Sequence, residues 1–188
     1  MSTIVDSLDS TIAARIRGER TVRRWSLDEL AERASVSKAM ISKIERAEVS
    51  PTAALLGRLA AAFGLTLSAL LAESEPPQHG PLRAADQPIW RDPATSYIRR
   101  QVSASPRIPL ELTEVEMPPG GSVSFPAASY RGMSHVIWML AGRLTFVEGD
   151  VTHELLPGDS LEFGPPVDCT YRNDGAAPCR YLVVLLRR

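Results

Sequence analysis

Cysteine is scarce in this chain: Cys169 and Cys179 are the only two among 188 residues. A disulfide framework is thereby excluded, and both thiols are expected free, in a reducing compartment. No apolar run approaches the roughly 18 residues that a membrane span requires. The stretch from Met1 to Asp9 carries acids and lacks the basic start and apolar core of a secretory leader, so a cytoplasmic location is expected. There is no Gly-x-Ser-x-Gly elbow and no phosphate-binding loop. Proline is missing from the first 72 residues apart from Pro51.

What is present is the balance of an ordinary globular protein, with 44% hydrophobic and 23% charged residues. Disorder throughout is excluded, and the length suits one large domain or two small ones. The net charge of −1 hides an asymmetry: residues 1–72 carry ten basic against eight acidic side chains, and residues 73–188 eleven against fourteen. Between Arg15 and Arg46 the count is nine basic to five acidic. A local positive field of this kind is what a phosphate-facing surface needs.

The first 72 residues are rich in Ala, Leu, Arg and Glu and read as helix. Glu73 to Pro88 is proline-rich and forms a semi-extended linker. From Ile89 onward the pattern changes to short segments of period two, as in Glu111–Met117, His135–Leu140, Arg143–Val147 and Arg180–Leu185. Turns separate them at Pro118-Pro-Gly-Gly121, Pro157-Gly-Asp159 and Asn173-Asp-Gly175. Short strands at this spacing indicate a sandwich or small barrel.

Within the helical half, a first helix is expected over Thr11–Arg24, with Asp9 or Ser10 as its N-cap. Ser26-Leu-Asp-Glu29 is a capping box, a hydroxyl at N-cap and a carboxylate three residues on, and opens a helix over Leu27–Ala34. Ser35-Val36 makes a tight turn. Ser37 caps a third helix, Lys38–Arg46, whose Ile41 and Ile44 face the core and leave Lys38, Ala39, Ser42, Lys43 and Arg46 outward. A fourth helix is expected over Thr52–Phe63, with Leu55, Leu56, Leu59 and Phe63 as its apolar stripe, and a short fifth over Ser68–Ala72. Two short capped helices joined by a tight turn form a unit whose second helix fits the major groove.

The run from Ser26 to Arg46, followed by Ser50-Pro-Thr52 and Leu55-Leu-Gly-Arg-Leu-Ala60, resembles the Cro/CI-type helix-turn-helix of XRE-family regulators. The fold implied is a five-helix, lambda-repressor-like bundle over residues 8–72. Ser35 and Ala47 stand where that family usually has glycine, so a left-handed backbone is expected at Ser35. The resemblance, together with helix geometry, assigns DNA contacts to Ser26, Ser37, Lys38, Ala39, Met40, Ser42, Lys43 and Arg46. It assigns Glu45 to an internal ion pair.

The second half resembles the cupin fold. Pro118-Pro-Gly-Gly121 matches its opening turn, and His135-Val-Ile-Trp-Met-Leu-Ala-Gly142 the end of its first motif, with His135 in place of Glu. Pro157-Gly-Asp159, Phe163 and Asn173 match its second motif, with Cys169 in place of His. The resemblance implies a closed double-stranded β-barrel over residues 89–188, beyond a linker at 73–88. The family's metal-binding His-x-His pair would fall at Ala128 and Tyr130. Two suitable donors, His135 and Cys169, remain, fewer than a divalent ion wants, so no metal and no other cofactor is expected. A barrel with Tyr130, His135, Cys169 and Tyr171 inward suits a small organic effector, with Arg131 or Arg180 as a carboxylate clamp.

These readings combine into a non-enzymatic, homodimeric transcriptional regulator with two partners, a palindromic operator in double-stranded DNA and a small-molecule effector. The dimer would form through an apolar patch of Ile98, Val102, Val136 and Trp138. The alternative is a cupin metalloenzyme built on a His135/Cys169 centre, with DNA binding as an accessory. Cys169 and Cys179, either side of the Asn173-Asp-Gly175 turn, also form a candidate redox pair.

Overall fold

The computed structural model describes residues 3–71, 80–103 and 108–187, with side chains from Asp9 onward. It divides into two compact units, one ending at Leu71 and the other beyond it. Of the linker expected over 73–88, residues 73–79 lie outside the described residues, and 80–88 contains a short 3-10 turn, Ala84–Asp86.

Five helices build the first unit: α1 (Thr3–Val22), α2 (Leu27–Ala34), α3 (Lys38–Glu45), α4 (Ala53–Phe63) and α5 (Leu67–Leu71). Helix α1 begins eight residues before the expected Thr11 and passes straight through Asp9 and Ser10, so neither of them is its N-cap. Both residue types favour caps because they can bond backbone locally, but that preference is weak once a helix is anchored further on. Asp9 instead accepts a hydrogen bond from the Ser50 hydroxyl. The capping box at Ser26 is present in full. Thr52 caps α4 through the Leu55 amide, and Gly64 closes α4 in the left-handed conformation.

The core of this unit holds Ile12, Ile16, Leu30, Ile41, Ile44, Leu56, Leu59 and Phe63, all buried. Leu55, expected in that stripe, is half-buried. Trp25 stacks on Phe63 at 5.8 Å with 13° between planes. The Arg33 guanidinium lies over the other part of this cluster, 4.5 Å from the Trp25 ring centroid.

Ten strands build the second unit: β1 (Ile89–Arg91), β2 (Ile98–Gln101), β3 (Leu110–Met117), β4 (Ser122–Phe125), β5 (Met133–Ala141), β6 (Leu144–Glu148), β7 (Val151–Leu155), β8 (Ser160–Glu162), β9 (Cys169–Arg172) and β10 (Cys179–Arg187). They form a six-stranded sheet ordered β1-β2-β3-β10-β5-β8 and a four-stranded sheet ordered β4-β9-β6-β7. All described pairings are antiparallel. No ladder among the described residues joins one sheet to the other, so the closed barrel expected from the sequence is instead two facing sheets. Strand periodicity fixes which face of a strand is apolar, not whether the outermost strands pair.

Alternation in β5 puts His135, Ile137 and Met139 inward, all buried, and leaves Trp138 outward and 48% exposed. In β9 Cys169 and Tyr171 point inward, and in β10 Cys179, Tyr181 and Leu185. Asn173, fully buried, pins the β9–β10 connection: its side-chain amide donates to the carbonyls of Met117 and Ala177, both at 2.9 Å. Gly142 turns β5 into β6 with φ +78°, and a Cβ there would come within 2.8 Å of the Cys179 backbone, so only glycine fits.

Candidate nucleic-acid interface and ligand cavity

Helix α3 separates its two faces cleanly. Ile41 and Ile44 are buried, whereas Ser37, Lys38, Ala39, Lys43 and Arg46 are exposed and Met40 and Ser42 half-buried. The helix ends at Glu45, one residue earlier than expected, and Arg46 is its C-cap. Ser37 accepts from the Met40 amide at 3.2 Å. Ser35 takes φ 52°, ψ 44°, the left-handed turn that its position demanded, and Ala47 takes φ 54°. Such a backbone costs a residue with a Cβ about 1–2 kcal/mol, and here it sets the abrupt change of direction between α2 and α3.

Orientation of α3 is fixed from behind. Arg20 of α1 donates to both Glu45 oxygens, Nε at 2.7 Å and a terminal nitrogen at 2.8 Å, and also to the Trp25 carbonyl at 2.9 Å. The carboxylate side chain is only 8% exposed. A bidentate, largely desolvated pair of this kind is geometrically specific, and it ties the C-terminal end of α3 to α1. Glu45 is thus internal and Arg46 external. Arg46 grips Glu48 with two hydrogen bonds, 2.6 and 2.9 Å, which lowers the pKa of that carboxyl. It also donates to Ser42. Lys38 lies 2.8 Å from Asp28. Two cations of the exposed face therefore carry their own carboxylate partners, which the sequence spacing did not reveal.

In the second unit the inward side chains of the two sheets meet as an aromatic cluster. Phe146 lies 4.7 Å from Phe163 and 4.9 Å from Tyr171. Tyr171 stacks on Tyr181 at 5.9 Å with 9° between planes. His135 stacks on Phe163 at 5.3 Å and meets the Tyr130 ring edge-on at 5.2 Å. A cavity of about 470 Å³ opens beside these rings, lined by Tyr130, Met133, His135, Glu162, Phe163 and Pro165 among others.

The polar groups here are held neutral. Burial pushes His135 down to about 4, with the nearby positive charge of Arg99 adding to the effect. Burial pushes the Cys169 thiol up to about 11 and raises the Tyr130 and Tyr171 hydroxyls as well. Tyr130 and His135, expected in the pocket, line the cavity, and Cys169 and Tyr171 are close enough to Tyr130 to perturb its hydroxyl.

The two arginines expected as clamps stand elsewhere. Arg180 is exposed between inward Cys179 and Tyr181, with a terminal nitrogen 3.6 Å from Glu114. Arg131 is exposed, at the end of the 3-10 turn Ala127–Tyr130. Sequence reasoning missed Phe163 and the Pro165-Pro166 rim as cavity wall, although Phe163 had been picked out as a motif residue. It missed Arg99 altogether.

The donors that would have to form a metal centre do not gather. Among the described residues no group of three or more His, Cys, Asp or Glu is placed to hold a metal ion. His135 is sandwiched against Phe163 and Tyr130, and Ala128 has no donor atom. The donor set does not suit a divalent ion. Of the candidate redox pair, Cys169 lies in the four-stranded sheet and Cys179 in the six-stranded one, both buried and free.

The comparisons agree with this division. A helix-turn-helix family model matches residues 16–70 and a cupin domain model residues 113–185. The HTH-type transcriptional regulator SutR of Escherichia coli (strain K12) is 28% identical over 173 residues, covering 91% of this chain and 92% of that protein. The HTH-type transcriptional regulator SinR of Bacillus subtilis (strain 168) is 32% identical over 92 residues, covering 48% of this chain and 83% of that protein. The crystal structure of an HTH_3 family transcriptional regulator from Vibrio cholerae shares the fold over 97% of this chain and 98% of its own, with a TM-score of 0.80 at 24% identity. With its capped, glycine-free α2–α3 turn and its facing β-sheets, the chain belongs to the helix-turn-helix regulators of XRE type that carry a C-terminal cupin domain.

Proposed function

We propose that this protein is a DNA-binding transcriptional regulator whose α3 reads an operator in the major groove and whose β unit binds a small effector. One observation carries the reading. The α3 face turned away from Ile41 and Ile44 is exposed, short-chained and basic, as a helix needs to be to approach base edges. Ser37, Ala39, Met40 and Ser42 would meet base edges, and Lys38, Lys43 and Arg46 the flanking phosphates. Ser26 at the α2 N-terminus would meet another phosphate. Residues 8–72 then serve DNA and residues 89–188 serve effector and partner.

One such unit offers few base contacts. A twofold pair reading half-sites about one helical turn apart supplies the rest. The outer face of the six-stranded sheet suits that pairing. Outward residues in register form apolar rows, Leu112–Val184–Val136 and Leu182–Trp138, with Trp138 and Leu186 exposed. Ile98 and Val136 of the expected patch are half-buried, and Val102 lies just past β2.

Selection of bound duplexes from a random pool tests the reading. A two-fold symmetric consensus is expected, bound with a steep loss of affinity as salt rises. No enriched sequence, or a monomer by sedimentation at micromolar concentration, would count against it.

A further inference from the structure

Helix α1 ends in a closing motif that favours glycine. The Arg24 amide donates to the Thr21 carbonyl at 2.9 Å and the Trp25 amide to the Arg20 carbonyl at 3.0 Å, the pair of bonds that turns a helix off through one left-handed residue. That residue is Arg24, at φ 57°. A side chain there carries the same kind of backbone cost as Ser35 and Ala47, at a position where glycine would carry none. The Arg24 side chain is exposed and makes no hydrogen bond or ion pair among the described residues. Nothing inside the protein offsets the strain, and strain kept at such a residue points to a task outside the fold.

A second arginine stands in line with it. Arg17 lies seven positions earlier, two turns back on the same side of α1, and it too is exposed without a hydrogen bond or ion pair from its side chain among the described residues. Arg20 sits between them, grips Glu45 at the end of α3 and holds the Trp25 carbonyl. The stripe Arg17–Arg20–Arg24 is therefore fixed in position relative to the end of α3 that carries Arg46. The cations on the other side of α1 are committed elsewhere. Arg15 and Arg23 both pair with Glu19, and Arg23 also donates to the Phe63 carbonyl.

Resting on the DNA-binding reading of α3, we propose that Arg17 and Arg24 hold the phosphate backbone beside the groove that α3 reads, so that the footprint on DNA extends onto α1. On α3 itself, Lys38 and Arg46 must first part from Asp28 and Glu48. Arg17 and Arg24 give up no internal partner, so each phosphate they meet releases its counterions without that offset. Their rigid register with α3 favours a duplex over an acidic protein surface, because contacts to phosphate fix how a reading helix sits in its groove.

The test uses the full chain, a duplex carrying the consensus from the random-pool selection, and a scrambled duplex of the same length and composition, with affinity followed over a range of salt. Arg17→Ala and Arg24→Gly should each weaken binding to both duplexes by the same factor, roughly five- to tenfold, and flatten the logarithmic salt slope by about one for each protomer bound. Arg24→Gly should at the same time raise the melting temperature by a few degrees, because the strain is gone. A residue that mattered only to the fold could not combine higher stability with weaker binding. Arg24→Lys should keep the slope, and Arg15→Ala should change binding to neither duplex. An unchanged slope in a variant that is folded by circular dichroism removes that residue from the footprint, and in both variants it overturns the proposal. So does a loss confined to the consensus duplex, which would mark base reading, or a lower melting temperature of Arg24→Gly, which would mark a structural role. Were the native protein to bind neither duplex with a salt-dependent affinity, the DNA reading itself would fall, a result distinct from all of these.

Discussion

The two units treat polar groups in opposite ways. In the helical unit the side chains proposed to meet DNA are at or near the surface and several already have a local partner: Ser26 and Ser37 cap helices, Lys38 holds Asp28, and Arg46 holds Glu48. In the β unit the tyrosines, His135 and both cysteines are inside and stripped of water. A surface that must meet a polyanion can keep its charges solvated and exchange weak partners for phosphates, since exposed ion pairs contribute little. A pocket that must recognise a small molecule gains from polar groups set in a dry, mostly apolar wall.

The largest effect that would sharpen this contrast lies where the helical unit departs from its own rule. Arg20 and Glu45 form a largely desolvated pair, so Arg20→Gln strands a buried carboxylate. A loss of about 3 kcal/mol in chemical denaturation is expected. A change below a few tenths would place the pair among the surface ones. Next in size is the DNA face. Lys38→Ala with Lys43→Ala should weaken operator binding about a hundredfold at moderate salt and flatten the logarithmic salt slope by about 2. An unaltered slope would break the assignment of these lysines to phosphates.

The β unit is probed by acid. His135 is held down to about 4, below its ordinary value near 6.5, so the unfolded chain binds the extra proton first. Its contribution to stability is full above pH 6.5 and is lost as pH falls toward 4. Melting temperature followed over that range should fall more steeply for the native protein than for His135→Gln; parallel curves would show that the imidazole is solvated. The smallest effect is at the turn. Ser35→Gly relieves a left-handed residue and should stabilise the protein by about 1 kcal/mol, with operator affinity unchanged. Reduced affinity there would mean that the serine itself touches DNA.

Much of the helical unit was legible because its signals are local. A capping box, a left-handed turn and two isoleucines three apart are decided within a few residues, and α2 begins and ends where the sequence put it. The start of α1 was misplaced because Asp9 and Ser10 are good caps that this helix does not use. The β unit was legible strand by strand but not as a whole. Alternation put Cys169 and Tyr171 on one face of their strand and His135 with Ile137 and Met139 on one face of theirs, the cupin resemblance alone turned those faces inward, and the open edges between the sheets depend on long-range pairing. Arg99 escaped notice because Ile98-Arg-Arg-Gln101 has no alternation and all four residues are half-buried. Arg131 and Arg180 were picked on residue type alone, without a register to say which way they face.

The placement of aromatic residues has a practical corollary. The helical unit contains no tyrosine, and its single indole, Trp25, sits against Phe63 beneath Arg33. Phenol absorbance in the near ultraviolet thus originates wholly beyond Leu71, and any shift in it on adding a metabolite reports on the sheets once the overlapping indole band of Trp25 is subtracted. The molecule carries its own optical channel for one of its two tasks.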